Sequence, residues 1–465
     1  MKKTIAILLC FVLTVALFVG CSGNQSPSSD NGNEEAAGVP AQTPVDGAAG
    51  SDINGDLPTI TFTHGYFHDE SEWAAAGEMR RIYEEFAELH KDEFNFVIVA
   101  NEAGAEGIYN TALNDIAAGE FYDIADFGGW DITPVASSAG MILDLKPYLD
   151  EDPAFKNGVG VCYDQNLTED GAIYSVREQI EAVGFWYNEA LFNEAGAKVP
   201  GEWETWADFD EAVDTLLAAD IQPFSLCAGW PANILAAGYS QRNAAAREFW
   251  LNGKTVESFD DESFRGTIEF MQTSVLQKID VANFDPAGDS ETYRDDFFDG
   301  KVAMLFNGVW DAGGSVGCGA GEENIKPAIF PTDEAGVHAA LLSGGCGLVV
   351  SSRLDEAQTA AAIEFVKYMT SPEIASRIIA KGIGMAPGSD IDYDALVDQV
   401  DTADAKLLVE ACRMCQNADY KALGLGNTFG DGEGEIQSKY AGLKDGSKTV
   451  DDVIAELDDF LALDD

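Results

Sequence analysis

Tryptophan is the residue type in this chain that is best suited to hold a ligand. The chain has eight tryptophans. A flat indole packs well against an apolar surface, and one face of a pyranose ring is such a surface of C–H groups. Trp130 and Trp310 each follow a predicted strand, on loops preceded by glycine, and Trp230 follows Gly229. We predict that these three indoles stack on a sugar, with Trp130 and Trp310 on its two sides.

Packing is the commoner role of a single tryptophan, because large aromatic side chains are mostly buried. It is the better interpretation of Trp206, which lies on the apolar face of a predicted helix, and of Trp186, which lies within a predicted strand. We expect both side chains in the core.

Polar partners must accompany the aromatic side chains, because a desolvated hydroxyl without a hydrogen bond costs free energy. The predicted ligand-binding residues of this kind are Glu181, Asp131, Tyr66, Asn307, Asp311 and Gly345. Several have a simpler alternative. Asp131 or Asp311 could cap a helix, Glu181 could be a solvated strand residue, and Gly345 could serve a turn.

Metal, redox and cofactor chemistry find little support. His64 and His68 are four residues apart but lie in a predicted loop without a third ligand, so we predict no metal site. Cys412 and Cys415 could form a redox pair or half a zinc site, but the helix predicted over 406–416 places them more simply on one buried face. We predict no cofactor.

Catalytic signatures are also weak. The chain has no phosphate-binding loop of the form G-x-x-x-x-G-K-[ST] and no H-E-x-x-H sequence. We therefore predict a binding protein and not an enzyme. Two alternatives stay open: a surface glycoside hydrolase or lyase, since carboxylates are abundant, and a binding protein for a peptide, a polyamine or a metal chelate, since cationic ligands suit the charge.

The charge balance excludes other partners. The chain has 81 acidic and 27 basic residues, a formal charge of −54. Such a surface repels the phosphates of nucleic acid and of anionic lipid, so we expect neither as a partner. We also expect a monomer.

The first 21 residues predict export. Lys2 and Lys3 precede an apolar run that ends at Gly20-Cys21, a pattern typical of a secretory signal and too short to span a membrane. A small residue followed by cysteine resembles the bacterial lipobox, which implies cleavage before Cys21 and its acylation. We expect a signal peptide at 1–20, a flexible linker at 21–56, and a lipoprotein tethered to the extracellular face of the cell membrane by lipid alone.

The elements that position these residues follow from apolar periodicity. Alternating strands and helices predict an α/β fold with mainly parallel sheets, in which ligands bind at the carboxyl ends of the strands. The predicted strands are 57–62, 94–99, 122–127, 180–187, 302–306 and 346–350. The predicted helices are 71–90, 107–118, 205–219, 355–370 and 371–382.

Five segments resemble, in order, motifs of the bacterial extracellular solute-binding proteins of the sugar-transporter type, the maltodextrin-binding-like family 1. They are Gly171–Phe192, Trp203–Phe209, Phe298–Trp310, Ala361–Glu373 and Gly384–Pro387. For example, FDGKVAMLFNGVW is similar to the family pattern F-x-x-G-K-A-A-M-x-x-x-G-x-W. Arg177 departs from the pattern, which usually has proline there, so the family's hinge geometry and nearby ligand contacts are not carried over to it.

The resemblance implies a two-lobed, periplasmic-binding-protein-like clamshell that closes on its ligand. Lobe 1 would hold 57–172 and 346–382, and lobe 2 would hold 173–345 and 383–465. It further implies that Trp310 stacks on the ligand and that Glu181 faces the cleft. A carbohydrate, in our interpretation an oligosaccharide, would be delivered to the permease and ATPase of an ABC importer.

Overall fold

The computed structural model describes residues 53–69, 74–168, 170–288, 291–343, 345–382, 384–388, 391–423, 429 and 432–464. The predicted signal peptide, Cys21 and the linker up to residue 52 lie outside the described residues. Within the described part, no helix combines the length and the apolar character needed to cross a membrane.

Strands and helices alternate along the chain. The strands are β1 (Thr59–His64), β2 (Asn95–Ala100), β3 (Ile124–Gly129), β4 (Glu181–Val183), β5 (Phe185–Asn188), β6 (Gln222–Phe224), β7 (Leu226–Cys227), β8 (Phe284–Asp285), β9 (Val302–Leu305), β10 (Ile325–Ala328), β11 (Phe330–Pro331), β12 (His338–Ser343), β13 (Cys346–Val350) and β14 (Tyr420–Leu423).

The helices before residue 300 are α1 (Ala74–Leu89), α2 (Gly104–Ala118), α3 (Thr133–Ser138), α4 (Lys146–Glu151), α5 (Pro153–Val159), α6 (Cys162–Gln165), α7 (Glu189–Ala195), α8 (Trp206–Ala218), α9 (Trp230–Tyr239), α10 (Ala244–Leu251), α11 (Glu262–Phe270) and α12 (Thr292–Phe298). Those after it are α13 (Glu356–Met369), α14 (Pro372–Ala380), α15 (Tyr393–Val397), α16 (Ala403–Asn417), α17 (Gly432–Asp445) and α18 (Val450–Asp464). A short 3-10 helix, Val309–Ser315, follows β9.

The first sheet has the strand order β13-β3-β1-β2, with β1 parallel to both β2 and β3 and β13 antiparallel to β3. Its core is aromatic: the Phe62 ring lies 4.6 Å from that of Phe365 on α13. The buried face of α1 includes Met79, Ile82 and Phe86, as its spacing predicts. Leu89 is the exception, 68% exposed, because it ends the helix where the chain turns away.

The second sheet has the order β10-β5-β9-β6 and packs against α8. The capping box predicted at the start of α8 forms between Thr205 and Asp208. Trp206, on the same helix, is 5% exposed. Trp186 of β5 is 1% exposed, so both tryptophans are core residues as predicted.

The third sheet, β11-β12-β14, also pairs with β4 along β12. One strand was predicted over 180–187, but two form there, and they belong to different sheets. Gly184 separates them: a Cβ at this position would lie 2.0 Å from the carbonyl oxygen of Ala328. Only glycine permits this close approach of two backbones.

The α/β class is confirmed, but the strand directions are more mixed than predicted. Among the strands of the described residues, five pairs are parallel and five are antiparallel. Parallel neighbours need a crossover connection, whereas β11 and β12 are joined by a short loop and therefore run antiparallel.

The segment between α6 and β4 connects the sheets. Val176 bridges Leu348 of β13, and Ile180 bridges Met385. Arg177 lies between these two backbone contacts and is 5% exposed. The segment that resembles the family's hinge is thus held at both ends, with a buried cation between them.

Candidate ligand-binding site

Trp230 and Trp310 form an aromatic pair between α9 and the 3-10 helix that follows β9. Their ring centroids lie 6.2 Å apart, with 34° between the ring planes. Trp230 is the first residue of α9, and Trp310 lies in the 3-10 helix after β9. Both are only partly buried, so each keeps surface available to a ligand. We call Trp230 and Trp310 the tryptophan platform.

Polar contacts fix the platform from behind. Trp230 donates its indole N–H to Oδ1 of Asn307 at 2.9 Å. Asn307 donates from Nδ2 to Oδ2 of Asp311 at 2.6 Å, and Arg294 donates from Nη2 to Oδ1 of Asp311 at 2.5 Å. Asn307 therefore orients Trp230, and Asp311 orients Asn307. Arg294 in turn holds Asp311.

Asp311 is placed differently from the sequence-based expectation. Its side chain is 0% exposed, and both carboxylate oxygens accept hydrogen bonds. Burial raises the pKa of Asp311, and the charge of Arg294 opposes that rise. In this structure Asp311 supports Asn307 and does not face solvent. Asn307 is also buried, with its amide used within the protein.

Trp130 belongs to a second aromatic pair. It follows β3 at the carboxyl edge of the first sheet and is 45% exposed. Its ring centroid lies 5.5 Å from that of Tyr109 on α2. The structure therefore pairs Trp310 with Trp230, and Trp130 with Tyr109, where the sequence suggested Trp130 opposite Trp310.

Asp131 lies on the exposed loop before α3. Its Oδ1 accepts from the backbone N–H of Thr133 at 3.0 Å and from the Thr133 hydroxyl at 2.5 Å. This arrangement matches the helix-start alternative, because the carboxylate satisfies a first-turn N–H group.

Glu181 opens β4 and is more accessible than Asp311, though less exposed than Asp131. Its side chain is 32% exposed, and Oε1 lies 3.4 Å from Nη1 of Arg177. A Cβ placed on Gly129 would lie 3.3 Å from that same oxygen, and one on Gly345 would lie 3.4 Å from Nη1. The predicted residue Gly345 therefore leaves room for the Arg177 guanidinium beside Glu181.

Strand β4 links the two aromatic pairs. At its start, Glu181 reaches Gly129, the residue before Trp130. At its end, Val183 forms an antiparallel bridge with Gly308, two residues before Trp310. Two strand residues span about 7 Å. Strand β4 therefore connects the backbone beside Trp130 to the backbone beside Trp310, with Glu181 as its first residue.

Tyr66 follows β1 at the same edge of the first sheet. It is 8% exposed, and its hydroxyl accepts a hydrogen bond from Nε2 of Gln179 at 2.7 Å. Burial raises the pKa of Tyr66 well above its ordinary value. Tyr66 thus lies behind the hinge-like segment, and a ligand contact would require it to become more exposed.

A buried charge cluster surrounds Arg177, and the sequence analysis missed it. Burial, with the neighbouring charge of Asp126, raises the pKa of Glu178 to about 8. Burial also raises the pKa of Asp126 itself. Arg177 counters these carboxylates and Glu181. One feature of the sequence could have indicated this cluster: Arg177 stands where the family pattern usually has proline.

His64, one of the two histidines considered as metal ligands, is buried and bonded within the protein. His64 is 1% exposed and accepts the backbone N–H of Tyr66 through Nδ1 at 3.1 Å. Burial lowers the pKa of His64 to about 3, so it is neutral at physiological pH. Among the described residues, no group of three or more potential ligands is arranged to hold a metal ion.

Cys412 and Cys415 lie on the buried face of α16, as the helical spacing predicts. Burial raises the pKa of the Cys415 thiol to about 12, which opposes thiolate chemistry.

Comparison with known proteins identifies relatives. Residues 74–376 match the family model of the bacterial extracellular solute-binding proteins. A multiple sugar-binding protein of Streptococcus mutans is 26% identical over 209 residues, which are 43% of this chain and 47% of that protein. This chain therefore spans about half the length of the curated relative it matches.

Solved structures resemble nearly the whole described fold. A Streptococcus pneumoniae solute-binding protein in complex with the blood group A-trisaccharide is 30% identical, with a TM-score of 0.71, over 87% of this chain and 99% of that chain. A chitin oligosaccharide binding protein, 21% identical with a TM-score of 0.64 over 88% and 99% of the two chains, shares the fold.

Proposed function

The chain belongs to the bacterial extracellular solute-binding proteins, and from this premise we propose that it captures an oligosaccharide and delivers it to a membrane permease. This family consists of binding proteins with a two-lobed fold, in which a ligand is held and then released. The chain would supply recognition and no chemistry.

The observation that carries the proposal is the placement of Glu181 at the start of β4, the strand that links the two aromatic pairs. Indole faces offer apolar stacking for the C–H face of a sugar, and a half-exposed carboxylate accepts hydrogen bonds from its hydroxyls. Two stacking surfaces joined by β4 suit a ligand with more than one ring. Relatives whose names report a trisaccharide, raffinose or chitin oligosaccharide support the same ligand class.

The hydrolase alternative lacks a second free carboxylate at this site. Glycoside hydrolysis uses two carboxyl groups that flank one glycosidic bond. Of the candidates, Asp311 is buried against Arg294, and Asp131 is held by Thr133 on an exposed loop. Glu181 alone combines exposure with a place on the strand that links the two aromatic pairs.

Residues 313–317 read G-x-S-x-G, a sequence that can mark a nucleophilic serine. Ser315 is 0% exposed, and its hydroxyl donates to the carbonyl of Ala312 at 2.7 Å. It lies in a 3-10 helix and not on the strand-to-helix turn that such a nucleophile requires. This serine does not favour an enzyme.

The partners and the location belong to the same proposal. A permease and an ATPase of an ABC importer would receive the ligand, and acylated Cys21 would hold the protein at the extracellular face of the membrane. The two proposed lobes would close over Glu181. Lobe 1 would hold 57–172 and 346–382, and lobe 2 would hold 173–345 and 383–465. Metabolic labelling with a palmitate analogue, compared between wild type and Cys21→Ala, tests the anchor.

The ligand assignment is tested by incubating purified protein with blood group A trisaccharide, raffinose, chitotriose and maltotriose. Melting temperature and sugar products are measured in the same samples. Ligand binding raises stability by an amount that grows with ligand concentration over Kd. A concentration-dependent rise with intact sugar supports the proposal. Sugar cleavage, or no rise with any sugar while a peptide or polyamine gives one, contradicts it.

A further inference from the structure

The polar chain behind the tryptophan platform ends at a residue that none of the sequence motifs suggests. Arg294 lies on α12, 17 residues before Asp311 in the sequence, and its guanidinium reaches Oδ1 of Asp311. Its side chain is 39% exposed, whereas Asp311 is 0% exposed. The Arg294 cation therefore lies at the exposed end of a row of hydrogen bonds that continues through Asp311 and Asn307 to Trp230. We call this row the relay.

The ionised state of Asp311 decides how the relay is oriented. An ionised carboxylate can only accept hydrogen bonds, so Asn307 must turn its Nδ2 group toward Asp311. The amide oxygen of Asn307 then points the other way. There it accepts the indole N–H of Trp230 at 2.9 Å and the backbone N–H of Gly308 at 3.0 Å.

Gly308 connects Asn307 to the indole of Trp310. Its backbone N–H is held by Asn307, and its carbonyl oxygen accepts the indole N–H of Trp186 at 2.9 Å. The Trp310 ring packs directly on Gly308, since a Cβ there would lie 2.1 Å from the ring. One amide oxygen thus fixes Trp230 directly and Trp310 through the backbone.

We infer that Arg294 is a positioning residue for sugar recognition, which acts through Asp311 and Asn307 to fix the orientation of Trp230 and Trp310. Arg294 keeps the buried carboxylate ionised, because a buried charge without a partner is strongly disfavoured. Without it, a protonated Asp311 would donate a hydrogen bond, and Asn307 would lose the acceptor that holds its Nδ2 group and keep only the two N–H donors on its oxygen. The expected effect of Arg294 on sugar binding rests on the proposed function. The expected effect of Arg294 on the orientation of Trp230 and Trp310 does not.

The same relay indicates how the platform recognises a ligand. Because the indole N–H of Trp230 is already used by Asn307, Trp230 offers a ligand its ring face alone. Hydrogen bonds to the sugar must then come from other groups, among which Glu181 is accessible. Arg294 would set the strength of stacking and leave hydroxyl recognition unchanged.

The experiment compares Arg294→Met, Arg294→Lys and Arg265→Met in the purified protein. Arg265 is the matched control: its side chain is 31% exposed and pairs with two carboxylates, Asp260 and Asp451, neither of which contacts the platform. The indole N–H signals are recorded after ¹⁵N-tryptophan labelling, with the Trp230 signal assigned from Trp230→Phe. Affinity is measured for whichever of blood group A trisaccharide, raffinose, chitotriose and maltotriose wild type binds.

We expect Arg294→Met to shift the Trp230 signal, to speed its solvent exchange and to raise Kd about tenfold, since a lost charge-assisted hydrogen bond is worth about that factor. Arg294→Lys restores part of the effect, because an ammonium can still donate to Asp311. Arg265→Met leaves both readouts unchanged, and the remaining indole signals report intact folding.

The inference is overturned if Arg294→Met, with its other indole signals intact, leaves the Trp230 signal and exchange rate as in wild type. It is also overturned if that variant binds the sugar within twofold of wild type. If wild type binds none of the sugars, the proposed function fails, while the Trp230 signal still decides whether Arg294 positions the platform.

Discussion

Val183 and Gly308 form an antiparallel backbone bridge, and this single contact joins the strand that carries Glu181 to the loop that carries Trp310. The bridge brings the strand that carries Glu181 to the backbone beside Trp310. Pairing of short strands therefore links the stretches of sequence near 181 and 310, and Glu181, which lies next to Gly129, adds the stretch near 130.

Truncating Trp310 tests the stacking surface. Trp310→Ala should raise Kd for a bound oligosaccharide by about thirtyfold, because removing a central aromatic contact costs about 2 kcal/mol or more. Trp130→Ala should cost less, because Trp130 is 45% exposed and lies at the edge of the first sheet. Isothermal titration of both variants measures the difference. An unchanged Kd in Trp310→Ala would show that the stacking assignment is wrong.

Neutralising Glu181 tests hydroxyl recognition. Glu181→Gln should weaken binding by roughly fivefold to thirtyfold, because hydrogen bonds to a charged acceptor are stronger than those to a neutral one. Glu211→Gln, an exposed change on α8, is the control and should bind as wild type does. Equal loss in the two variants would point to a general effect of charge and not to contact with the ligand.

A methyl group at Gly308 should displace the platform. The added Cβ would lie 2.1 Å from the Trp310 ring, which is far inside van der Waals contact. Gly308→Ala should therefore shift tryptophan fluorescence and weaken sugar binding. Gly313→Ala, in the same 3-10 helix, has no atom within 4 Å of the added Cβ and should change neither. Matching behaviour in the two variants would contradict the proposed packing of Trp310.

Some of this architecture could be predicted from the sequence. Features that depend on residues close together in the sequence were predicted correctly. Examples are the capping box of Thr205 and Asp208 and the shared helix face of Cys412 and Cys415. Strand β13 also has its predicted bounds, 346–350. These features depend on spacing and on apolar periodicity, which a single sequence displays.

The site itself was only partly predictable, because long-range contacts decide it. The pairing of Trp310 with Trp230, which Asn307 holds, was not predicted. The stacking of Trp130 and Trp310 on the two sides of a sugar stays a prediction. Asp311 was expected near the ligand, but it is buried and paired with Arg294 of α12. The division of 180–187 at Gly184 depends on the backbone of Ala328, which no periodicity in 180–187 reveals.

The buried cluster around Arg177 makes a prediction about pH. The pKa of Glu178 is raised from 4.5 to about 8, so the folded protein holds a proton that the unfolded chain loses between these values. Stability from this group therefore falls as pH rises through that window. Glutamine cannot ionise. The melting temperature of Glu178→Gln minus that of wild type should therefore increase as the pH rises from about 5 to about 8.

Calorimetric melting curves across this range measure the effect, with Glu211→Gln as the exposed control. A difference in melting temperature between Glu178→Gln and wild type that stays constant with pH would contradict the buried, protonated carboxyl group. Asp126 and Arg177 face Glu178 and are unchanged in this comparison.

The most direct measurement of the central claim is a crystal structure of the protein grown with the oligosaccharide that gives the largest melting shift. We predict density for an intact sugar with one ring stacked on Trp310 and Trp230 and a hydroxyl within hydrogen-bond distance of Glu181. Sugar bound elsewhere, or bound with Trp230 and Trp310 both out of contact, would contradict the account.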